Sequence, residues 1–127
     1  MSGEGGIIDI RARLAAVELL AQTVLTAEAV GGGRIITAAG LYTQAGTYNL
    51  ALGITDAAAI SGAIANVRTG GVMAEASWAW TPGIAIFASP NGIMTQTPPA
   101  SGLQRQVARA VTATKIIIDL QPSIALE

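Results

Sequence analysis

Two tryptophans separated by one residue, Trp78 and Trp80, are the side chains of this chain most suited to binding. On an extended strand they would project from one face as a flat apolar platform, fit for a sugar ring or a partner protein. The same pair would equally fill a core or a trimer interface beside Pro82. Arg105 and Arg109 share parity, so on a strand they would face one side, either to dock on an acidic partner surface or to protect a sheet edge. Asp56, Glu75, Asp119 and Glu127 are carboxylates of the C-terminal part, spaced neither as a local metal loop nor as an acid/base pair.

Catalytic chemistry has little to work with. The chain has no histidine and no cysteine, and its single lysine, Lys115, has no SxxK pattern beside it, so a serine or threonine nucleophile lacks an evident base. The expectation is a protein that is not an enzyme and takes no cofactor or metal. Gly31-Gly32-Gly33 is not followed by the GK[ST] of a phosphate loop and reads as a turn or linker. With a net charge of −1 and scattered basic residues, no nucleic-acid partner is expected.

Composition points to assembly. At 127 residues the chain suits one compact unit, yet 12% of residues are charged and 51% hydrophobic, against about 25% charged in ordinary soluble domains. Between Arg34 and Arg68 the single formal charge is Asp56. Much of that surface is expected to face other subunits. The N-terminus shows no basic-then-apolar signal pattern, and Arg11, Arg13, Glu18 and Gln22 interrupt the apolar stretch before it reaches membrane-spanning length. No membrane insertion is expected, and synthesis is expected in the cytoplasm.

The elements that must position these residues fall into two parts, 1–30 and 31–127. In the first, Ile7, Ile10, Leu14, Val17, Ala21 and Val24 recur at alternating spacings of three and four, predicting a short α-helix with one heptad seam. Asp9 and Arg13 form a favourable i,i+4 pair in its first turns. β-Branched residues at the d positions favour three or more strands over a parallel dimer, and Arg13 at g and Glu18 at the next e have bridging spacing. A homotrimeric coiled coil is one reading. The other is an amphipathic helix lying on the β-domain, supported by Leu19, Leu20 and Leu25.

After the glycine run the pattern is β-like: Ile35-Ile36, then alternating Tyr48, Leu50 and Leu52, then a turn within DAAAISGAIANV and a strand over 63–72. Further on, Ile84, Ile86 and Ala88 alternate; Ser89-Pro90-Asn91-Gly92 predicts a type I turn, and 93–97 the returning strand. Pro98-Pro99 ends that pairing. A second hairpin runs 104–111 and 115–120 around Thr112-Ala113-Thr114. The fold class is therefore mainly β with a short N-terminal α-helix: a small barrel or sandwich knob, expected as a trimer.

The strings WAWTPG, PNG, TQTPPASG and VTATKIIIDLQPSI together resemble a C-terminal domain of small structural proteins of tailed bacteriophages, namely head-fibre, capsid-decoration and short fibre proteins. The resemblance covers about residues 40 to 122. It implies a short helix followed by a trimeric β-knob, a place in the virion, and other virion proteins as partners. A short tail fibre tip binding a host surface glycan is the alternative it implies. No receptor-binding motif matches residue by residue, so no ligand contact is carried over. If the seam drives assembly, Val17→Asp places a charge on its axis; sedimentation should then show that the variant fails to trimerise.

Overall fold

The computed structural model describes residues 20–126. It contains strands β1 (Ala21–Leu25), β2 (Ile35–Thr37), β3 (Ala51–Thr55), β4 (Ile64–Arg68), β5 (Val72–Ala74), β6 (Ala85–Ala88), β7 (Met94–Thr95), β8 (Gly102–Gln104), β9 (Gln106–Thr112), β10 (Lys115–Ile118) and β11 (Ile124–Leu126). Two 3-10 turns, Tyr48–Leu50 and Pro90–Gly92, complete the elements. The fold is mainly β, as the alternation predicted. A four-stranded sheet has the order β1-β4-β3-β2 and a five-stranded sheet the order β5-β10-β9-β6-β7; β8 and β11 pair separately.

One apolar layer joins the two larger sheets. Ile35 and Ile54 from the first sheet and Ile86, Val107 and Ile116 from the second are fully buried in a single cluster. Successive strand residues alternate faces, so Ile36, next to Ile35, enters a second cluster with Val24, Val30, Ala65 and Val67 on the other side of the first sheet. Loops close over that side: Val30 bridges Ala59, and the buried Thr26 hydroxyl donates to the carbonyl of Ile60 at 2.7 Å.

Several expectations need correction. Ala21 and Val24, placed on a helical seam, lie on β1, which pairs with β4 from Ala21 opposite Arg68 to Leu25 opposite Ile64. The segment AQTVL contains β-branched Thr23 and Val24, and a paired strand buries Val24 on the sheet. Ile7, Ile10, Leu14 and Val17, with the rest of residues 1–19, lie outside the described residues. Since β1 belongs to the first sheet, the β-rich unit extends back past Gly31-Gly32-Gly33 to at least Ala21. Tyr48 and Leu50, expected on a strand, form a 3-10 turn that leads into β3.

The proline-glycine hairpin exists with a different turn. Asn91 and Gly92 both have positive φ, 62° and 65°. That pair of left-handed residues suits the right-handed twist of a hairpin, which the predicted type I turn does not. Asn91 tolerates the conformation better than most residues and is held there: its N–H donates to Gln44 Oε1 while Gln44 Nε2 donates to Asn91 Oδ1, both at 3.0 Å. The returning strand is short, Met94–Thr95. The second hairpin forms as predicted around Thr112 to Lys115, although β10 ends at Ile118.

Gly53 sits where β3 meets β4, and a methyl group there would overlap the Arg68 carbonyl oxygen. Because the obstacle is backbone of the partner strand, relief requires the strands to separate. Gly53→Ala should therefore destabilise by about 2 to 4 kcal/mol, a fall in Tm of roughly 10 °C. Gly46→Ala, where an added methyl meets nothing within 4 Å, should leave the thermal transition almost unmoved.

Candidate functional site

Trp78 and Trp80 do not lie on a strand. They occupy the irregular connection between β5 and β6. Main-chain bonds nonetheless pin that connection: Glu75 N–H donates to Thr114 O, Trp80 N–H to Ala113 O and Gly83 N–H to Ala110 O, at 2.8–2.9 Å. Gln96 grips it from the other side, accepting from Thr81 N–H at 2.9 Å and donating to Thr81 O at 2.8 Å. The indoles still meet, with centroids 5.9 Å apart and planes at 58°. Both are partly buried and pack against the shared core. Trp80 Nε1 is enclosed without a hydrogen-bond partner, whereas Trp78 borders two surface hollows.

The larger hollow, about 340 Å³, is lined by Gly33, Asp56, Arg68, Glu75, Ser77 and Trp78 among others. The second, about 230 Å³, shares Gly33 and Trp78 and adds Trp80 and Arg34. The Trp78 indole stands between them, its edge close against Gly33, where an added Cβ would lie 3.7 Å from Cζ2. Within the lining of the larger hollow, Arg68 Nε donates to both oxygens of Asp56, at 3.0 and 3.2 Å. The Nη groups of Arg68 are outside that pair. Glu75 Oε1 accepts from Ser77 Oγ at 3.4 Å. The hollow thus combines an aromatic side chain with hydrogen-bond donors and acceptors.

These residues come together from four separate segments, and no local pattern in the sequence links them. Sequence reasoning singled out Trp78 but treated Asp56 and Glu75 as isolated carboxylates and Arg68 not at all. Gly32 and Gly33, read as a turn or linker, line both hollows. Asp119, by contrast, accepts from its neighbour Gln121 at 2.6 Å and belongs to a different hollow with Phe87 and Arg109. Among the described residues no three acidic side chains gather as a metal site, and no helix is long and apolar enough to cross a membrane. Glu127 lies outside them.

Arg105 and Arg109 do not form a pair. Arg105 lies between β8 and β9 rather than on a strand with Arg109, so the parity argument fails. Its Nη1 donates to the carbonyls of Tyr48 at 3.1 Å, Asn49 at 2.9 Å and Ala51 at 3.4 Å, and its Nε to Gln121 O at 2.9 Å. Burial lowers the affinity of this guanidinium for its proton, and burial likewise raises the pKa of the Tyr48 phenol. Arg109 lies on the outer face, bonded through Nη1 to Gly83 O at 2.7 Å.

One guanidinium therefore ties the end of the 3-10 turn to the chain after β10. Hydrogen bonds to a charged donor contribute about 1.5–3 kcal/mol, and a lysine ammonium cannot span the fork. Arg105→Ala and Arg105→Lys should both lower the urea midpoint, by about 2 kcal/mol in stability, while Arg109→Ala should change it by less than about 1 kcal/mol. Comparison of the chain with protein-family models, with curated proteins and with solved structures gave no match.

Proposed function

We propose that this protein is a structural component of a tailed-bacteriophage virion, a head-decoration or head-fibre protein that acts by binding copies of itself and other virion proteins rather than by catalysis. The observation that supports the reading most is where its apolar side chains lie. Ile54 and Arg68 are cross-strand partners, so the face that packs on the second sheet continues over β4 and β1. Beyond the second sheet it is bare: Leu25 and Ile64 stand opposite each other, 63% and 60% exposed, with Ile60 nearby at 75%.

A second apolar row crosses the outer face of the five-stranded sheet. Val72, Ile117, Arg109 and Ala85 follow one another in register across β5, β10, β9 and β6, with Val72 and Ile117 about half exposed. Exposed isoleucines in register on regular strands form flat adhesive surfaces, and monomeric proteins keep such patches small. The resemblance of WAWTPG, PNG and VTATKIIIDLQPSI supports the phage assignment. In this fold those strings are the tryptophan connection, the left-handed turn and the β9–β10 hairpin of one sheet. A sandwich-like knob in a homotrimer is the architecture that follows.

The test is the mass of the full chain in solution. Sedimentation at micromolar concentration should give a trimer; a soluble monomer would overturn the proposal. Ile64→Asp and Ile117→Asp alter exposed positions, so each should retain the β-sheet circular dichroism. Whichever face mediates assembly should show roughly tenfold or greater weakening of self-association when it carries the charge.

A further inference from the structure

We propose that the hollow walled by Trp78 binds a single saccharide ring. The proposal does not rest on the assembly reading, because it concerns a different kind of ligand, although Arg68 and Val72 belong both to the hollow and to the faces described above. A pyranose carries two unlike surfaces. One is a patch of C–H groups that packs on an indole face, and the other is a rim of hydroxyls that each donate and accept. The hollow supplies the counterpart of both. Trp78 forms its apolar wall. The same hollow is lined by Asp56 and Arg68, which place carboxylate oxygens and guanidinium N–H groups side by side, and by Glu75 and Ser77.

The other small-ligand classes fit less well. A phosphate or carboxylate would meet Asp56 and Glu75, two negative groups against one arginine already paired. An alkyl chain would desolvate a lining that is mostly polar. A metal ion lacks a third acidic ligand among the described residues. The volume, about 340 Å³, is at the lower end of the roughly 300–1,000 Å³ typical of ligand pockets and matches one ring rather than a chain of several. The wall is also held in position before any ligand arrives. Trp78 rests against Trp80 and the core, and main-chain bonds from Glu75, Trp80 and Gly83 fix the connection that carries it. A preordered wall lowers the entropy lost on binding.

The competitor worth separating is a cation, such as a lysine or arginine side chain of a partner protein, attracted by Glu75 and by the indole face. Both tryptophans of the chain line the two adjoining hollows, so intrinsic fluorescence reports on this site. The full chain should be titrated with the methyl glycosides of glucose, galactose, mannose and N-acetylglucosamine, and separately with arginine and lysine methyl esters. It should also be applied to an immobilised glycan array.

At least one glycoside should give a saturable change in emission in the millimolar range, and the array should show glycans ending in the same sugar. Glu75→Gln should weaken that binding about tenfold, the loss expected for one charge-assisted hydrogen bond. Trp78→Ala should abolish it, and Arg109→Ala, on the outer face, should leave it unchanged. Should Trp78→Ala fail to fold, Glu75→Gln and Ser77→Ala, both at exposed positions, decide the matter. The proposal is overturned if no glycoside and no array glycan binds, if binding survives Glu75→Gln and Ser77→Ala, or if only the amino-acid esters bind. Sedimentation of Glu75→Gln should match the parent chain, which separates failure of this proposal from failure of the assembly reading.

Discussion

The structure depends on one layer of branched aliphatic side chains between two sheets. Ile35 and Ile54 come from one sheet, Ile86, Val107 and Ile116 from the other, and none retains contact with water. Their burial contributes on the order of 2 kcal/mol each. No disulfide adds to it, since the chain has no cysteine. Whatever keeps the sheets in register therefore also protects this layer. Two polar devices do so at its margin: the Gln44–Asn91 amide pair, which ties the β6–β7 turn to the segment after β2, and the Arg105 fork over the carbonyls of Tyr48, Asn49 and Ala51.

What could be read from the sequence follows from the range of the forces involved. The β9–β10 hairpin was legible because Ile116 and Ile118 alternate with Lys115 and Ile117 and only two residues, Ala113 and Thr114, connect the paired strands. The Asn91-Gly92 turn was legible as a turn, but its type was set by strand twist and by contact with Gln44, 47 residues distant. Residues 21–25 and the apolar residues before them fit a three-four spacing, and only pairing with β4 decides that Ala21 and Val24 are on a strand. Tyr48 and Leu50 alternate as a strand would, yet Arg105 draws the carbonyls of that segment into a turn. In each case a distant partner outweighed local preference.

The candidate site was the least legible part for the same reason. Trp78 stood out by residue type, but its surroundings come from the loop before β2, the ends of β3 and β4, and the segment after β5. Those contributions come from separate strands and loops between Gly32 and Trp78, and their proximity is a product of sheet order. Arg105 and Arg109 show the converse. Equal parity suggested one basic face, while the break between β8 and β9 turns one guanidinium toward the carbonyls of the first sheet and leaves the other outside.

The position of β1 has a consequence for growth. Among the described residues it is the outer strand of its sheet, and its sequence AQTVL carries neither a charge nor a proline to discourage pairing on its outer side. A lateral margin of this kind is a template for another strand. If copies join through it with a rotation that returns to the start, the product is a closed ring of fixed number. If the rotation does not close, the same hydrogen bonds extend into a filament without a natural end. Were copies to join there, the geometry of this one margin would set whether growth stops at a closed ring or continues.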